Sequence, residues 1–255
     1  MQKLIIAAAL ALISGASWAQ TDDASSAVSA EHASSYNLAV VTDYRYRGIS
    51  QTRFRPAVQG GFDYSHSPSG LYAGSWLSTI QWTRDAGGSG MLEWDLYAGR
   101  RGQLDAQGRY SYDFGVLRYL YPSNALASVN GYVNANTTEL YAQLGTGPVY
   151  LKYSYAVTNL FGFVDSRHSG YLDAGANLEL DGGYTLNLHA GRQQVQHNGA
   201  ASYSDWKLGL TRDFGVLTGA LAVIGTTASK TAYASPADGS YLGKTALQLT
   251  LSKVF

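Results

Sequence analysis

Strict alternation at the end of the chain constrains its fold more than any other feature. In Lys244-Thr-Ala-Leu-Gln-Leu-Thr-Leu-Ser-Lys-Val-Phe255, Leu247, Leu249, Leu251 and Phe255 share one parity, and Gln248, Thr250 and Ser252 share the other. Successive side chains of a strand point to opposite faces, so a period of two specifies one apolar and one polar face. Such a strand either edges a sandwich or closes a barrel. Lys253 breaks the apolar parity, where its long stem lets the amine reach an interface.

The same alternation recurs upstream. It predicts strands over 37–47, 57–64, 71–82, 91–100, 110–121, 138–144, 149–157, 171–180, 184–193, 205–211 and 216–225. In the first, Leu38, Val40, Thr42, Tyr44 and Tyr46 share a face; in the third, Tyr72, Trp76, Ile80 and Trp82 do. The strand at 110–121 is ambiguous because both parities carry large residues, and the one at 138–144 is weak. The links alternate. Those at 65–70, 145–148, 181–183 and 212–215 are short; those at 48–56, 83–90, 122–137, 158–169, 195–204 and 226–243 are longer and polar. The link at 101–109 is an exception, as long as its neighbours. Short turns at one end and long loops at the other describe an up-and-down barrel, and the strand lengths lie near the roughly 9–11 residues a tilted membrane strand needs. The fold expected is an all-β, transmembrane up-and-down antiparallel barrel of about twelve strands, with ten or fourteen as alternatives. Strands in lipid must close on themselves, because an open edge leaves backbone groups unpaired. The repeated Asp-Phe-Gly-Val-Leu at 113–117 and 213–217 is either a recurring strand pattern or coincidence.

Composition agrees with this reading. Charged residues are 14%, against roughly 25% in a typical soluble domain. Tyr numbers 20, and aromatic girdles at the two membrane interfaces offer it a place. The N-terminus carries Lys3, an apolar run over 4–13, and Ser17-Trp18-Ala19, the pattern of a secretory signal peptide over 1–19. Residues 20–35 are small and polar, a flexible periplasmic lead-in, which leaves 36–255 for the barrel. Its location would then be the cell outer membrane. The net charge of zero falls to −1 with Lys3 removed, which argues against nucleic acid as a partner. Cys is absent from the sequence, so export is not accompanied by disulfides.

If the apolar parity faces lipid, the other lines the lumen. That parity carries Asp43, Arg45 and Arg47, then Glu93 and Asp95, Lys152, Asp173 and Glu179, and Asp205 and Lys207. Charges of both signs either line a narrow water path or pair and fill the barrel. Catalysis is not expected. His66-Ser67 falls in a predicted turn, His197 in a Gln/Asn/Gly-rich loop, and His189 on the lumen face without an evident Ser–Asp partner. Five scattered His show no metal-ligand spacing, and no cofactor motif is present.

Three blocks carry a resemblance. Thr42-Asp-Tyr-Arg-Tyr-Arg-Gly-Ile-Ser-Gln-Thr52 is followed by Pro56-Ala-Val-Gln-Gly-Gly-Phe-Asp-Tyr64 and by Gly70-Leu-Tyr-Ala-Gly-Ser-Trp76. Together they resemble the TorF-type porin family, also called the Gcw_chp domain. The alternating C-terminus ending on Phe255 likewise resembles the signal read by barrel-assembly machinery. The resemblance implies an outer-membrane barrel, lipid as its surroundings, and passive passage of small polar solutes or ions. It implies no solute and no established site residues. A non-conducting barrel that is structural or presents its loops, as an adhesin does, is the alternative. For the first block two readings stand: Arg47-Gly48 merely ends a strand and turns the chain, or the segment folds into the mouth with Arg45 and Arg47 held by acids across the lumen.

Overall fold

The computed structural model describes residues 31–255; the expected signal peptide and most of the lead-in lie outside them. Twelve strands close into one antiparallel barrel. They are β1 (His32–Val41), β4 (Ala57–His66), β5 (Leu71–Thr79), β6 (Leu92–Gln103), β7 (Tyr110–Leu120), β8 (Thr137–Thr146), β9 (Val149–Ala156), β10 (Gly170–Leu180), β11 (Tyr184–Gln194), β12 (Tyr203–Asp213), β13 (Thr218–Thr226) and β14 (Ala246–Val254). Each pairs with its sequence neighbour, and β1 closes the ring between β14 and β4. Two very short strands, β2 (Arg45–Tyr46) and β3 (Ile49–Ser50), form a separate sheet. One helical turn, α1 (Trp82–Asp85), lies in the β5–β6 loop. No helix among the described residues is long and apolar enough to cross a membrane.

The link alternation holds throughout. Links after β4, β6, β8, β10 and β12 are short, and those after β1, β5, β7, β9, β11 and β13 are long. The supposed exception disappears because β6 runs on to Gln103, leaving a turn of 104–109. The outward parity is aliphatic and exposed: Leu247, Leu249 and Leu251 point out, whereas Gln248 and Ser252 are buried in the interior. Large apolar side chains exposed along every barrel strand are not the pattern of a soluble monomer, whose apolar patches are small. Lys253 also points out, its amine 5.7 Å from the Phe255 ring centre.

Four expectations change. First, β1 begins at His32, inside the segment read as lead-in, and ends at Val41. Thr42, Tyr44 and Tyr46 therefore are not on a barrel strand. The chain leaves the wall at Thr42, where the Leu249 N–H donates to Thr42 Oγ1 at 3.0 Å. Second, the parity of β5 is reversed: Tyr72 and Ile80 are buried, and Leu71 and Leu77 face out. Third, much of the tyrosine is inside. Tyr44, Tyr72, Tyr97, Tyr119, Tyr121, Tyr141, Tyr171 and Tyr203 are all buried. Fourth, Asp113–Leu117 lies within β7, whereas Asp213–Leu217 spans the end of β12 and the following turn, so the repeat has no common structural role.

Register explains how the wall accommodates large rings. Tyr97 lies opposite Gly74, Tyr72 opposite Gly99, Tyr141 opposite Gly115 and Tyr150 opposite Gly175. In each pair the ring lies over the bare glycine: a Cβ added at Gly74 would stand 2.4 Å from the Tyr97 ring, and one at Gly175 would stand 2.4 Å from the Tyr150 ring. The phenols lie along the wall, covering strand backbone, and leave the centre of the barrel to other groups.

Candidate functional site

The centre is occupied by residues 43–52, within the segment that links β1 to β4. After Thr42 the chain turns inward and makes the β2–β3 hairpin, with Arg45 opposite Ser50 and Tyr46 opposite Ile49. Its tip is Arg47-Gly48, both at positive φ (48° and 81°), as the mirror-image turns favoured by two-residue hairpins require. Gly48 is also needed for close approach, since a Cβ there would stand 2.4 Å from Thr226 Cγ2 and 3.0 Å from Asp205 Cβ.

The hairpin is tied to strands around the ring. Arg47 donates from Nη2 to Glu139 Oε2 on β8 (2.7 Å) and from Nη1 to Gln193 Oε1 on β11 (2.6 Å). Its guanidinium carbon lies 4.1 Å from the centre of the Tyr171 ring on β10. Tyr44 donates to Glu93 Oε1 on β6 at 2.6 Å, and the Tyr46 and Tyr119 hydroxyls are 2.6 Å apart. Arg45 turns back on its own segment: Nε reaches Asp43 Oδ2 at 2.7 Å, and Nη1 donates to Gly48 O and to Lys244 O. Gln248 on β14 donates to Asp43 O at 2.6 Å. Of the two readings of this segment, the inward fold is the observed one. An acid across the lumen holds Arg47, but Arg45 is held by Asp43 beside it.

The remaining predicted lumen residues divide. Glu93, Asp95, Lys152 and Asp205 are buried inside the barrel. Asp173 and Asp205 flank His189, with Nδ1 2.9 Å from Asp173 Oδ1 and Nε2 2.7 Å from Asp205 Oδ2. His189 thus has two carboxylate partners that sequence spacing did not reveal. Tyr171 donates to Asp205 as well, at 2.9 Å. The Lys152 amine lies 4.2 Å from the Tyr141 ring centre. Lys207 is half-buried on β12 opposite His189. Glu179 departs from the group: it is exposed, close to the β10–β11 turn. Neither carboxylate oxygen of buried Asp95 has a hydrogen-bond partner among the described residues.

Glu139 escapes the sequence pattern because its strand alternates weakly, and Tyr44 and Tyr72 escape it because they share a parity with apolar residues, whereas Tyr97, Tyr150 and Tyr171 fall on the polar parity of their strands. Tyr72 donates to Asp113 and Tyr97 to Asp63, each at 2.5 Å, and Tyr72 also bonds the Tyr141 hydroxyl. Where the polar face is built from phenol–carboxylate pairs, hydropathy alternation is blurred.

On the long-loop side of the hairpin is a cavity of about 170 Å³. Tyr46, Arg47, Trp82, Phe161, Gln193 and Tyr233 are among its lining residues. Asp85 lies at its edge, 3.5 Å from Arg53; burial pushes its carboxyl above the usual range against the pull of that guanidinium.

Comparison with known proteins agrees with the architecture. The barrel is similar to the solved KdgM porin, with a TM-score of 0.52 at 8% identity, covering 87% of this chain and 98% of that one. It is equally similar to the NanC porin, with a TM-score of 0.52 at 10% identity and the same coverage. A further structure, the KdgM porin in complex with disordered oligogalacturonate, gives a TM-score of 0.51 at 8% identity, covering 88% and 99%. At these identities the likeness establishes the fold. Among curated proteins none matches the chain significantly. The model of the Gcw_chp family, described as a bacterial protein of unknown function, matches residues 24–255, and the chain belongs to that family.

Proposed function

We propose that this protein is an outer-membrane channel for passive passage of small polar solutes or ions, with the 43–52 hairpin as its constriction. The observation that carries this reading is Arg47: it stands at the tip of an inward hairpin inside a closed barrel and contacts β8, β10 and β11 at once. A guanidinium in that place limits the bore and sets its local charge. The aliphatic outer face supports a lipid environment, and the phenol-covered wall supports a polar path. The TorF-type resemblance of the N-terminal blocks, barrel-assembly machinery as the partner that reads Phe255, and a non-enzymatic role all belong to this reading.

A second reading has an observation of its own. Tyr44, Arg45, Ser50 and Thr52 are each no more than 2% exposed, as expected of a permanent filling in a closed structural barrel. Conductance of the refolded protein in a planar bilayer separates the two. Discrete steps with a stable reversal potential under a salt gradient are the expected result. If the intact barrel and a variant with 44–53 replaced by a short Gly/Ser link both stay silent, the channel reading is wrong.

A further inference from the structure

The first strand overshoots the seam. β14 pairs with β1 from Asn37 upward, and Tyr36 and Phe255 exchange backbone hydrogen bonds of 3.1 and 2.8 Å. Before Tyr36, residues 32–35 pair on the β4 side only, with His32 opposite His66. Directly opposed residues of an antiparallel pair bring their Cβ atoms to about 5 Å, close enough for two imidazoles to serve one ion. Here the ring centres are 4.8 Å apart. Both residues stand on the outward parity, His32 in line with exposed Tyr36 and Leu38, and His66 in line with Phe62 and Tyr64.

The far side of each ring is already fixed. His32 Nδ1 lies 2.7 Å from the Tyr64 hydroxyl, and His66 Nδ1 lies 2.7 Å from Ser69 Oγ. A hydroxyl accepting from Nδ1–H sets the tautomer and leaves the Nε2 lone pair for a ligand bond. Glu31 supplies the third donor: its Oε1 lies 3.1 Å from His66 Nε2, and the Ser67 N–H holds the Glu31 carbonyl at 3.0 Å. One donor atom from each of Glu31, His32 and His66 lies within 4.8 Å of the other two. An ion pair between His66 and Glu31 would explain one of these contacts and give His32 no part. We propose that Glu31, His32 and His66 bind a divalent first-row transition ion, which fastens the overhanging start of β1 to β4. Two imidazoles and a carboxylate suit zinc, copper, nickel or cobalt rather than calcium or magnesium. All three groups are accessible at the barrel rim beside the short β4–β5 turn, where solvent completes the coordination shell. Sequence spacing gave no sign of the site, because its two histidines are brought together only by the β1–β4 register.

The test uses the refolded, tag-free protein in detergent micelles, stripped with a chelator. Titration with Zn²⁺ by calorimetry should give one equivalent, Co²⁺ should develop a ligand-field absorption band, and Zn²⁺ should raise the thermal unfolding midpoint. His32→Ala and His66→Ala should each weaken Zn²⁺ binding by more than about tenfold, the lower bound set by loss of even an outer-shell partner. His197→Ala, in a separate loop, should leave it unchanged. Heat-resistant gel migration reports that each variant is folded, and Glu31→Gln, which retains shape, provides a second reading of the site. Saturation well below one equivalent, or equal affinity in wild type and both histidine variants, would overturn the proposal.

Discussion

Arg47→Ala is expected to increase single-channel conductance and shift selectivity toward cations. The substitution removes the group that joins the hairpin tip to β8 and β11, and it leaves Glu139 buried without its 2.7 Å partner. Removing one member of a buried pair costs about 3–5 kcal/mol, because the remaining charge loses its compensation. The barrel can relieve that cost by releasing the hairpin and admitting water to Glu139, which widens the path and leaves negative charge on its wall. Urea unfolding in detergent should report the stability loss, and the reversal potential under a salt gradient should report the change of sign. Arg47→Lys should be intermediate: it retains the charge but cannot donate to Glu139 and Gln193 in the same planar fork. Adding Glu139→Gln to Arg47→Ala should recover part of the stability and remove the cation preference. If conductance and selectivity both stay as in wild type, the hairpin is not the constriction.

Gly74→Val is expected to have the next largest effect, in the opposite direction on conductance. The new Cβ would meet the Tyr97 ring at 2.4 Å, and relief of that contact is expected to carry the ring away from the wall. It would then lose the 2.5 Å bond to Asp63 and enter the lumen. Overpacking of this kind costs about 1–3 kcal/mol, and the displaced ring narrows the path. A second change, Tyr97→Ala, should restore conductance in the double variant while leaving Asp63 without its phenol partner. Equal conductance in Gly74→Val and wild type would mean that Tyr97 is absorbed elsewhere and that these glycines are not there to hold the rings flat.

How far the sequence discloses the molecule depends on which face is read. The outward face is legible because a single demand, apolar contact, governs it: Leu247, Leu249 and Leu251 alternate without interruption. The same demand makes the strand count and the link alternation readable. The inner face obeys no single rule. On β5 it takes Tyr72 and Trp76, with Ile80 just beyond, so the more hydrophobic parity is the lumen one and the assignment inverts. Trp76 is inside because it meets Tyr44 edge-on, with ring centres 5.5 Å apart. On β7 the inward Leu117 and Tyr119 erase the contrast between faces. Arg47 was identifiable as unusual from its block, yet its partners Glu139 and Gln193 were not, since they are set by the register of strands far along the chain. The pairing of His189 with Asp173 and Asp205, all three on the polar parity, is hidden for the same reason.

The hairpin follows the first strand, yet two of its anchors come from the last stretch of the chain. Arg45 donates to the carbonyl of Lys244, and Asp43 receives Gln248, 199 and 205 positions later. Contacts across such separations form late, since the loop they close must first be ordered. A segment that leaves the first strand therefore depends on the last stretch of the chain for part of its seat. Seam closure and seating of the hairpin are thereby linked, because β14 supplies both the pairing with β1 and the Gln248 bond to Asp43.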